Sequence, residues 1–358
     1  MKILQLIPTL GSGGAERFVA ELSNELLNIG QDCSIATLYD LSKENNHVLT
    51  TINHNIKLFS LHKKSGMDLK CMFSLIKVIK QAGFQVVHVH SNAIPYIFLA
   101  TIFCNNVKFV ATIHSHAKRE AGGFLTTFLR RIMFKWHLCQ PITISEESNA
   151  SFKEFYKFNA DIIYNGISDY KVKGEITHCN NNEFVLIHPA SCQPIKNQVL
   201  LLSSVKRLIE EGVNIKLIWL GSNQTHKDLF HELSKFLSNK IIYKGVVDNV
   251  RDYLYTADAM CLSSRMEGMP MTIIEAFSVG CIPLCTPVGG CINMIQNGKN
   301  GFLSKDLSES AYYNMLKHFI NLTEEKRATL KKNSLASFNK YKIHTTASSY
   351  LKIYNTRY

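Results

Sequence analysis

The sequence has no apolar run long enough to cross a bilayer. Its longest, Ala93 to Cys104, is interrupted by Pro95, whereas a spanning helix needs about 20 apolar residues. Nothing at the N-terminus reads as a secretory signal, and the ten cysteines are scattered without a Cys-x-x-Cys pair. That argues against a disulfide scaffold, and the thiols are expected to be reduced. Cys281, Cys285 and Cys291 lack zinc-like spacing and fall on an apolar run and its loop, which points to core packing. No Asp-x-Asp occurs anywhere. Acidic residues are the scarcer sign, 28 Asp and Glu against 40 Lys and Arg, for a formal net charge of +12. The excess is local, because between Lys57 and Lys135 only Asp68 and Glu120 interrupt the basic residues. An acidic partner is expected there.

What is present is an ordinary globular composition, with 46% hydrophobic residues, in a chain of 358. That length accommodates two domains with separate cores. Strand and helix signals alternate from Lys2 to Tyr164, and again from Phe184 to Leu284. Such alternation predicts an α/β architecture of two Rossmann-like, doubly wound parallel sheets. The expected boundaries are residues 1–168, a polar linker at 169–183, a second domain at 184–340 and a last helix at 341–358. In an open α/β sheet the carboxyl ends of the strands form the ligand crevice. Here those ends carry His88, His90 and Ser91, then His114 to His116, Ser145, and Asn165 with Gly166. His88 is more simply read as an interior or rim histidine. A glycine loop, Gly11 to Gly14, separates the first strand from the first helix. It is a cradle for phosphate or sugar, although the spacing departs from Gly-x-Gly-x-x-Gly.

The second domain contains the most specific stretch, Ser263 to Gly290. It reads as a strand, a turn, a helix opened by Pro270 and ended at Gly280, and a further strand. A helix N-terminus outside a parallel strand presents the N–H groups of Met271 and Thr272 and the positive dipole end, which together form an anion site. Glu267 stands before the helix and Glu275 stands about 7 Å along it at about 1.5 Å per residue. With a diphosphate at the helix end, Glu275 would accept from ribose hydroxyls and Glu267 from a hydroxylated group on the other side. A nucleotide sugar has that order of parts.

Those two glutamates, with Gly268, Pro270, Ala276, Gly280, Pro283, Gly289, Gly290 and Gly301, resemble the Glu-x7-Glu signature of retaining glycosyltransferases of the GT-B fold, family four in particular. Gly245, Asn249, Val250, Ala257, Asp258 and Ser264 extend the match upstream. The resemblance implies two Rossmann-like domains facing a central cleft, with the last helix crossing back onto the first domain. It implies nucleotide binding by Glu275, Lys196, Met271, Thr272 and Val247. Sugar binding would fall to Glu267, Gly268, Met269, Pro270 and His114, with Glu267, Lys196 and His114 in catalytic positions. Gly13, Gly14 and Asn165 would line the acceptor side. No metal and no cofactor are implied beyond the donor, expected to be UDP-linked, and the departing phosphate would take the acceptor proton. Two positions depart from the pattern: Ala190 and Ser191 replace the Gly-Arg whose Arg joins Lys196 on the diphosphate, and Asn293 stands where many members have Glu.

Phe124, Leu125, Phe128, Leu129, Ile132, Met133 and Trp136 recur at helical spacing beside Arg130, Arg131 and Lys135. A basic amphipathic helix with aromatics suits an anionic membrane surface. Arg130, Arg131, Lys135 and Trp136 are therefore the expected membrane contacts, and no nucleic-acid motif accompanies the charge. The resulting expectation is a transferase extending a lipid-linked saccharide of a surface polysaccharide, peripheral on the cytoplasmic face of the plasma membrane. Two alternatives stay open, a nucleotide-sugar epimerase of the same fold and a catalytically weakened binding subunit.

Overall fold

The computed structural model describes residues 1–11, 13–41, 47–171 and 183–356. Ser12 of the glycine loop and residues 172–182 of the expected linker lie outside that set. The chain forms two compact units, Met1–Ser168 with Tyr341–Tyr358, and Asp169–Lys340.

The first unit is built on a seven-stranded sheet of order β3-β2-β1-β4-β5-β6-β7. Its strands are β1 (Lys2–Ile7), β2 (Asp32–Thr37), β3 (Lys57–Ser60), β4 (Val86–His90), β5 (Lys108–Ile113), β6 (Gln140–Thr143) and β7 (Asp161–Ile162). Every pairing is parallel. Helices cover both faces, so central strands are buried on both sides and lose the polar alternation of a half-exposed strand. Thus all five residues of β4, Val-Val-His-Val-His, are buried, including both histidines.

The last helix, Ile343–Asn355, belongs to this unit. Ala347, Tyr350 and Tyr354 share a core with Phe18, Leu22 and Leu26 of the first helix, Gly14–Asn28. Entry to the last helix depends on Gly166. A Cβ there would lie 2.8 Å from the Ile343 Cα, so a side chain would force apart the backbone contact in which Ile343 N–H donates to the Ile167 carbonyl at 2.9 Å.

The second unit has a six-stranded sheet of order β10-β9-β8-β11-β12-β13. The strands are β8 (Phe184–Pro189), β9 (Ile215–Leu220), β10 (Ile241–Gly245), β11 (Ala259–Leu262), β12 (Ile282–Cys285) and β13 (Phe302–Leu303). These are also parallel throughout. Leu217, Trp219, Cys261 and Leu284 join Leu201 and Val205 of the helix Gln198–Glu210 in its core. Cys281, Cys285 and Cys291 are buried and free, as packing residues are.

The basic amphipathic helix runs from Phe124 to Lys135, and the structure corrects one of its assignments. Arg130 is only 1% exposed. Its Nη2 donates to the Ser91 carbonyl at 3.0 Å and its Nη1 lies 4.0 Å from Glu120 Oε1. The Glu120 carboxylate in turn accepts from the His114 and Ser115 amides at 2.9 and 3.0 Å. Arg130 is therefore an interior cation tying together the turns after β4 and β5, and it touches no membrane. At about 3.6 residues per turn Arg130 lies about 120° to 160° around the helix from Phe124, Leu125 and Phe128, which turns it inward when they face out. Arg131, Lys135 and Trp136 are exposed as expected.

Candidate active site

The glutamate stretch folds around the carboxyl ends of β8 and β11. Ser263 Oγ donates to the Lys196 carbonyl at 2.9 Å, and the Arg265 amide donates to the Ile195 carbonyl at 2.8 Å, which locks the two loops together. Lys196 Nζ then lies 2.7 Å from Glu267 Oε1, which also accepts from Ser264 Oγ at 2.5 Å. Ser264 is itself held by Thr286, whose hydroxyl donates to the Ser264 carbonyl at 2.6 Å. Glu267 is 9% exposed, so its charge is supported by a cation and a hydroxyl as burial requires.

Met271 and Thr272 open the helix Met271–Ser278, with Pro270 as its N-cap. The helix thus begins one residue later than the sequence reading. Glu275 is 3% exposed in that helix, about 6 Å along the axis from Met271 at about 1.5 Å per residue. Gly268 and Met269 form the preceding turn. Gly290 makes this turn possible, because its N–H donates to the Gly268 carbonyl at 2.8 Å while a Cβ at 290 would meet that oxygen at 2.0 Å. Val247 lies half-buried in the loop after β10.

Ser191 stands where the family pattern has Arg, and here amides occupy its surroundings. Its hydroxyl accepts from Gln193 Nε2 at 3.0 Å and its carbonyl from Gln198 Nε2 at 2.8 Å. Arg265 brings a second cation to this loop, its guanidinium 3.4 Å from Asn197 Oδ1. Below it, on β8, His188 Nδ1 donates to the Cys261 carbonyl at 2.8 Å, and burial, reinforced by Lys196, pushes its pKa down to about 4.

The remaining site candidates belong to the first unit. His114 follows β5, and its Nε2 is 3.0 Å from His90 Nδ1. Phe18 of the first helix stands edge-on to it, with ring centroids 5.5 Å apart. Burial pushes the His114 pKa down to about 3. His88 is an interior histidine, bonded to Thr112 Oγ1 at 2.7 Å and to the Tyr354 hydroxyl at 2.6 Å. Asn165, 2% exposed, follows β7. Gly13 caps the first helix and Gly14 begins it. The Glu16 carboxylate folds back over this loop, near enough that a Cβ at Gly13 would sit 2.3 Å from Glu16 Oε2. A carboxylate there occupies the helix end that would otherwise draw an anion.

Two family models divide the chain between them. Residues 12–170 match Glycosyltransferase Family 4, and residues 173–336 match Glycosyl transferases group 1. The chain belongs to the family-four glycosyltransferases. Among curated relatives, the transferase is 25% identical to the GalNAc-alpha-(1->4)-GalNAc-alpha-(1->3)-diNAcBac-PP-undecaprenol alpha-1,4-N-acetyl-D-galactosaminyltransferase of Campylobacter jejuni, over 99% of this chain and 98% of that one. It is 24% identical to the UDP-Gal:alpha-D-GlcNAc-diphosphoundecaprenol alpha-1,3-galactosyltransferase of Escherichia coli, over 90% and 87% of the two chains. In fold it is similar to Anabaena HepE solved with UDP and glucose, with a TM-score of 0.81 at 18% identity over 99% of each chain. A glycosyltransferase from Rickettsia africae gives a TM-score of 0.84 at 19% identity, over 99% of this chain and 97% of that one. These likenesses identify the two parallel-sheet units as the GT-B fold.

Several residues around these sites carry no motif. Gln5, Tyr350 and Tyr354 are buried beside the histidines, and Glu120 with Arg130 holds the His114 turn. Glu120 alone gave a signal, as one of only two acidic residues in the basic stretch.

Proposed function

We propose that this transferase moves a sugar, with retention, from a UDP-sugar to a saccharide carried on a polyprenyl diphosphate. The observation that carries this reading is the convergence of Lys196, Glu267 and the Met271 helix end with Glu275 buried behind them. The undecaprenol-linked acceptors named for two relatives support the acceptor class. Negative charge grows on the departing diphosphate, and preorganised donors aimed at it lower the barrier. Lys196 and the helix N-terminus supply them. Glu267 holds sugar hydroxyls, Glu275 the ribose, and the departing phosphate takes the acceptor proton, so no side chain serves as base. Calorimetry with UDP tests the ribose role. Glu275→Ala is expected to weaken UDP binding by about 1.5 to 3 kcal/mol, the contribution of hydrogen bonds to a charged acceptor, and an unchanged affinity would refute it. Radiolabelled transfer from UDP-sugars to a polyprenyl-linked acceptor, scored against hydrolysis or epimerisation, tests the reaction itself.

We infer that the acceptor is met at an anionic membrane surface. No helix among the described residues is long and apolar enough to cross a membrane. The first unit, however, exposes Phe124, Leu125, Phe128 and Trp136, and also Phe73, Ile102 and Phe103. The first four belong to or directly follow the helix Phe124–Lys135. That helix packs against Phe98–Phe103, which carries Ile102 and Phe103 and packs in turn against Leu69–Ala82, which carries Phe73. Exposed Lys70 and Lys77 share the helix of Phe73, and exposed Arg131 and Lys135 the helix of Phe124. Aromatics flanked by cations fit the boundary between headgroups and acyl chains. Each cation near such a leaflet contributes about 1 kcal/mol. Arg131→Ser with Lys135→Ser is accordingly expected to weaken binding to anionic vesicles by about 2 kcal/mol, roughly thirtyfold. Cosedimentation at low and high salt measures it. Wild-type protein that ignores anionic vesicles at low salt would place the acceptor in solution.

A further inference from the structure

His114 ends a buried chain of hydrogen bonds whose direction can be worked out. Its Nε2 faces His90 Nδ1 at 3.0 Å, and His90 Nε2 faces Gln5 Oε1 at 2.8 Å. His90 and Gln5 are both fully buried, as is the neighbouring His88, whose ring centroid lies 4.1 Å from that of His90. Burial and the neighbouring imidazoles hold His88 and His90 well below the ordinary histidine range, and His114 is pushed down to about 3. All three rings are therefore neutral at pH 7, and each carries one proton on one nitrogen.

That count orders the chain. The Gln5 carbonyl oxygen only accepts, so the His90 proton lies on Nε2. His90 Nδ1 is then a lone pair, and the proton in the bond to His114 comes from His114 Nε2. His114 Nδ1 is left as a bare acceptor. That atom is buried and has no hydrogen-bond partner among the described residues. An unpaired acceptor lone pair in a dry site is costly until a ligand donates to it. Phe18 keeps the site dry, standing edge-on to both rings with centroids 6.1 and 5.5 Å away.

We propose that Gln5 and His90 are positioning residues that fix His114 in the Nε2–H tautomer, so that its Nδ1 accepts a hydrogen bond from a hydroxyl of the bound sugar. This rests on the reading of His114 as a sugar contact. The fixed lone pair gives the position a preference. A hydroxyl can donate to it, whereas a carboxylate or carbonyl oxygen placed there would meet lone pair with lone pair. The transferase is thereby tuned to a neutral, hydroxylated sugar face at that point. A separate set of bonds, on the neighbouring ring of His88, reaches the other end of the sequence. Tyr354 of the last helix bonds His88 Nδ1, and Thr112 links His88 Nε2 to the Tyr350 hydroxyl at 2.9 Å. These bonds brace the ring next to His90 without passing a proton to His114.

Long-range nitrogen–proton correlation spectra of the histidines in the ligand-free wild-type protein test the tautomer directly. The expected His114 pattern between pH 6 and pH 8 is one set of shifts, pyrrole-like at Nε2 and pyridine-like at Nδ1. A pyridine-like Nε2, or shifts averaged between tautomers, would overturn the proposal. Gln5→Leu removes the acceptor and lets the His90 proton move to Nδ1. It is expected to shift the His114 population toward Nδ1–H and to lower kcat/KM for the UDP-sugar about tenfold, as one lost hydrogen bond would, with UDP affinity unchanged. An unaltered His114 spectrum in a folded Gln5→Leu protein also overturns the lock. A shifted spectrum with unchanged kcat/KM would instead sink the reading of His114 as a sugar contact.

Discussion

Replacing Lys196 by Ala is expected to lower turnover by a few hundredfold. Removing one preorganised donor from a developing anion costs about 3 to 4 kcal/mol, and Ser191 leaves Lys196 without the arginine that the family pattern sets beside it. Arg265 reaches this loop, but its guanidinium is directed at Asn197, 3.4 Å away, so it cannot replace a cation already aligned on the Glu267 side. Lys196 also neutralises the Glu267 carboxylate at 2.7 Å, and this second role predicts non-additivity. Glu267→Gln alone loses the charged acceptor for sugar hydroxyls. Combined with Lys196→Ala it should restore stability that the single lysine variant loses, because no buried charge is left unpaired. Turnover should not return with it. Single-turnover kinetics with saturating donor separate the two effects. A Lys196→Ala protein within tenfold of wild type would show that the diphosphate is stabilised elsewhere.

The residues legible in the sequence are those whose placement depends on local spacing. Glu267, Pro270 and Glu275 lie within a single turn and helix, so their order along the chain fixes their order in space. The alternation of apolar runs likewise exposed both parallel sheets, since buried central strands such as β4 must be apolar almost throughout. Arg130 was misplaced because charge alone puts an arginine outside. Its burial depends on Ser91 and Glu120, which come from the ends of other strands. The histidine chain was hidden for the same reason. Gln5, His90, His114 and Tyr354 belong to β1, β4, the turn after β5 and the last helix, and only the sheet order β1-β4-β5 brings them side by side. Periodicity reports which face of an element is apolar. It does not report which polar residues of distant elements meet beneath that face.

The same buried histidines predict that the two units will fail separately in acid. His88, His90 and His114 all lie in the first unit and are neutral there, with folded pKa values below the ordinary 6.5. The unfolded chain therefore binds more protons than the folded one. Stability is fully present above pH 6.5 and is lost as the pH falls from there toward the folded values. Each such histidine removes about 1.4 kcal/mol per pH unit across that window, so three remove about 4. Glu16, Glu120 and Glu147 act in the opposite direction, because burial raises their pKa values and the folded state takes up their protons first. They soften the slope without reversing it. Among the described residues of the second unit, His188 is the one histidine pushed well down, to about 4, and it removes about 1.4 kcal/mol per pH unit. Against a total stability of about 5 to 15 kcal/mol for a domain, a drop from pH 6.5 to pH 5 is enough to separate them. In a Trp136→Phe background, which removes the first unit's own indole, Trp219, fully buried on β9, reports the second unit, and far-ultraviolet circular dichroism reports both. In urea at pH 7 the two signals are expected to change close together. At pH 5 a large part of the dichroism should be lost before Trp219 emission shifts to the red. Coincident transitions at pH 5 would mean that the histidine cluster is protonated in the folded protein, and His88→Phe should then leave the acid limb unchanged, where a neutral cluster would make it shallower.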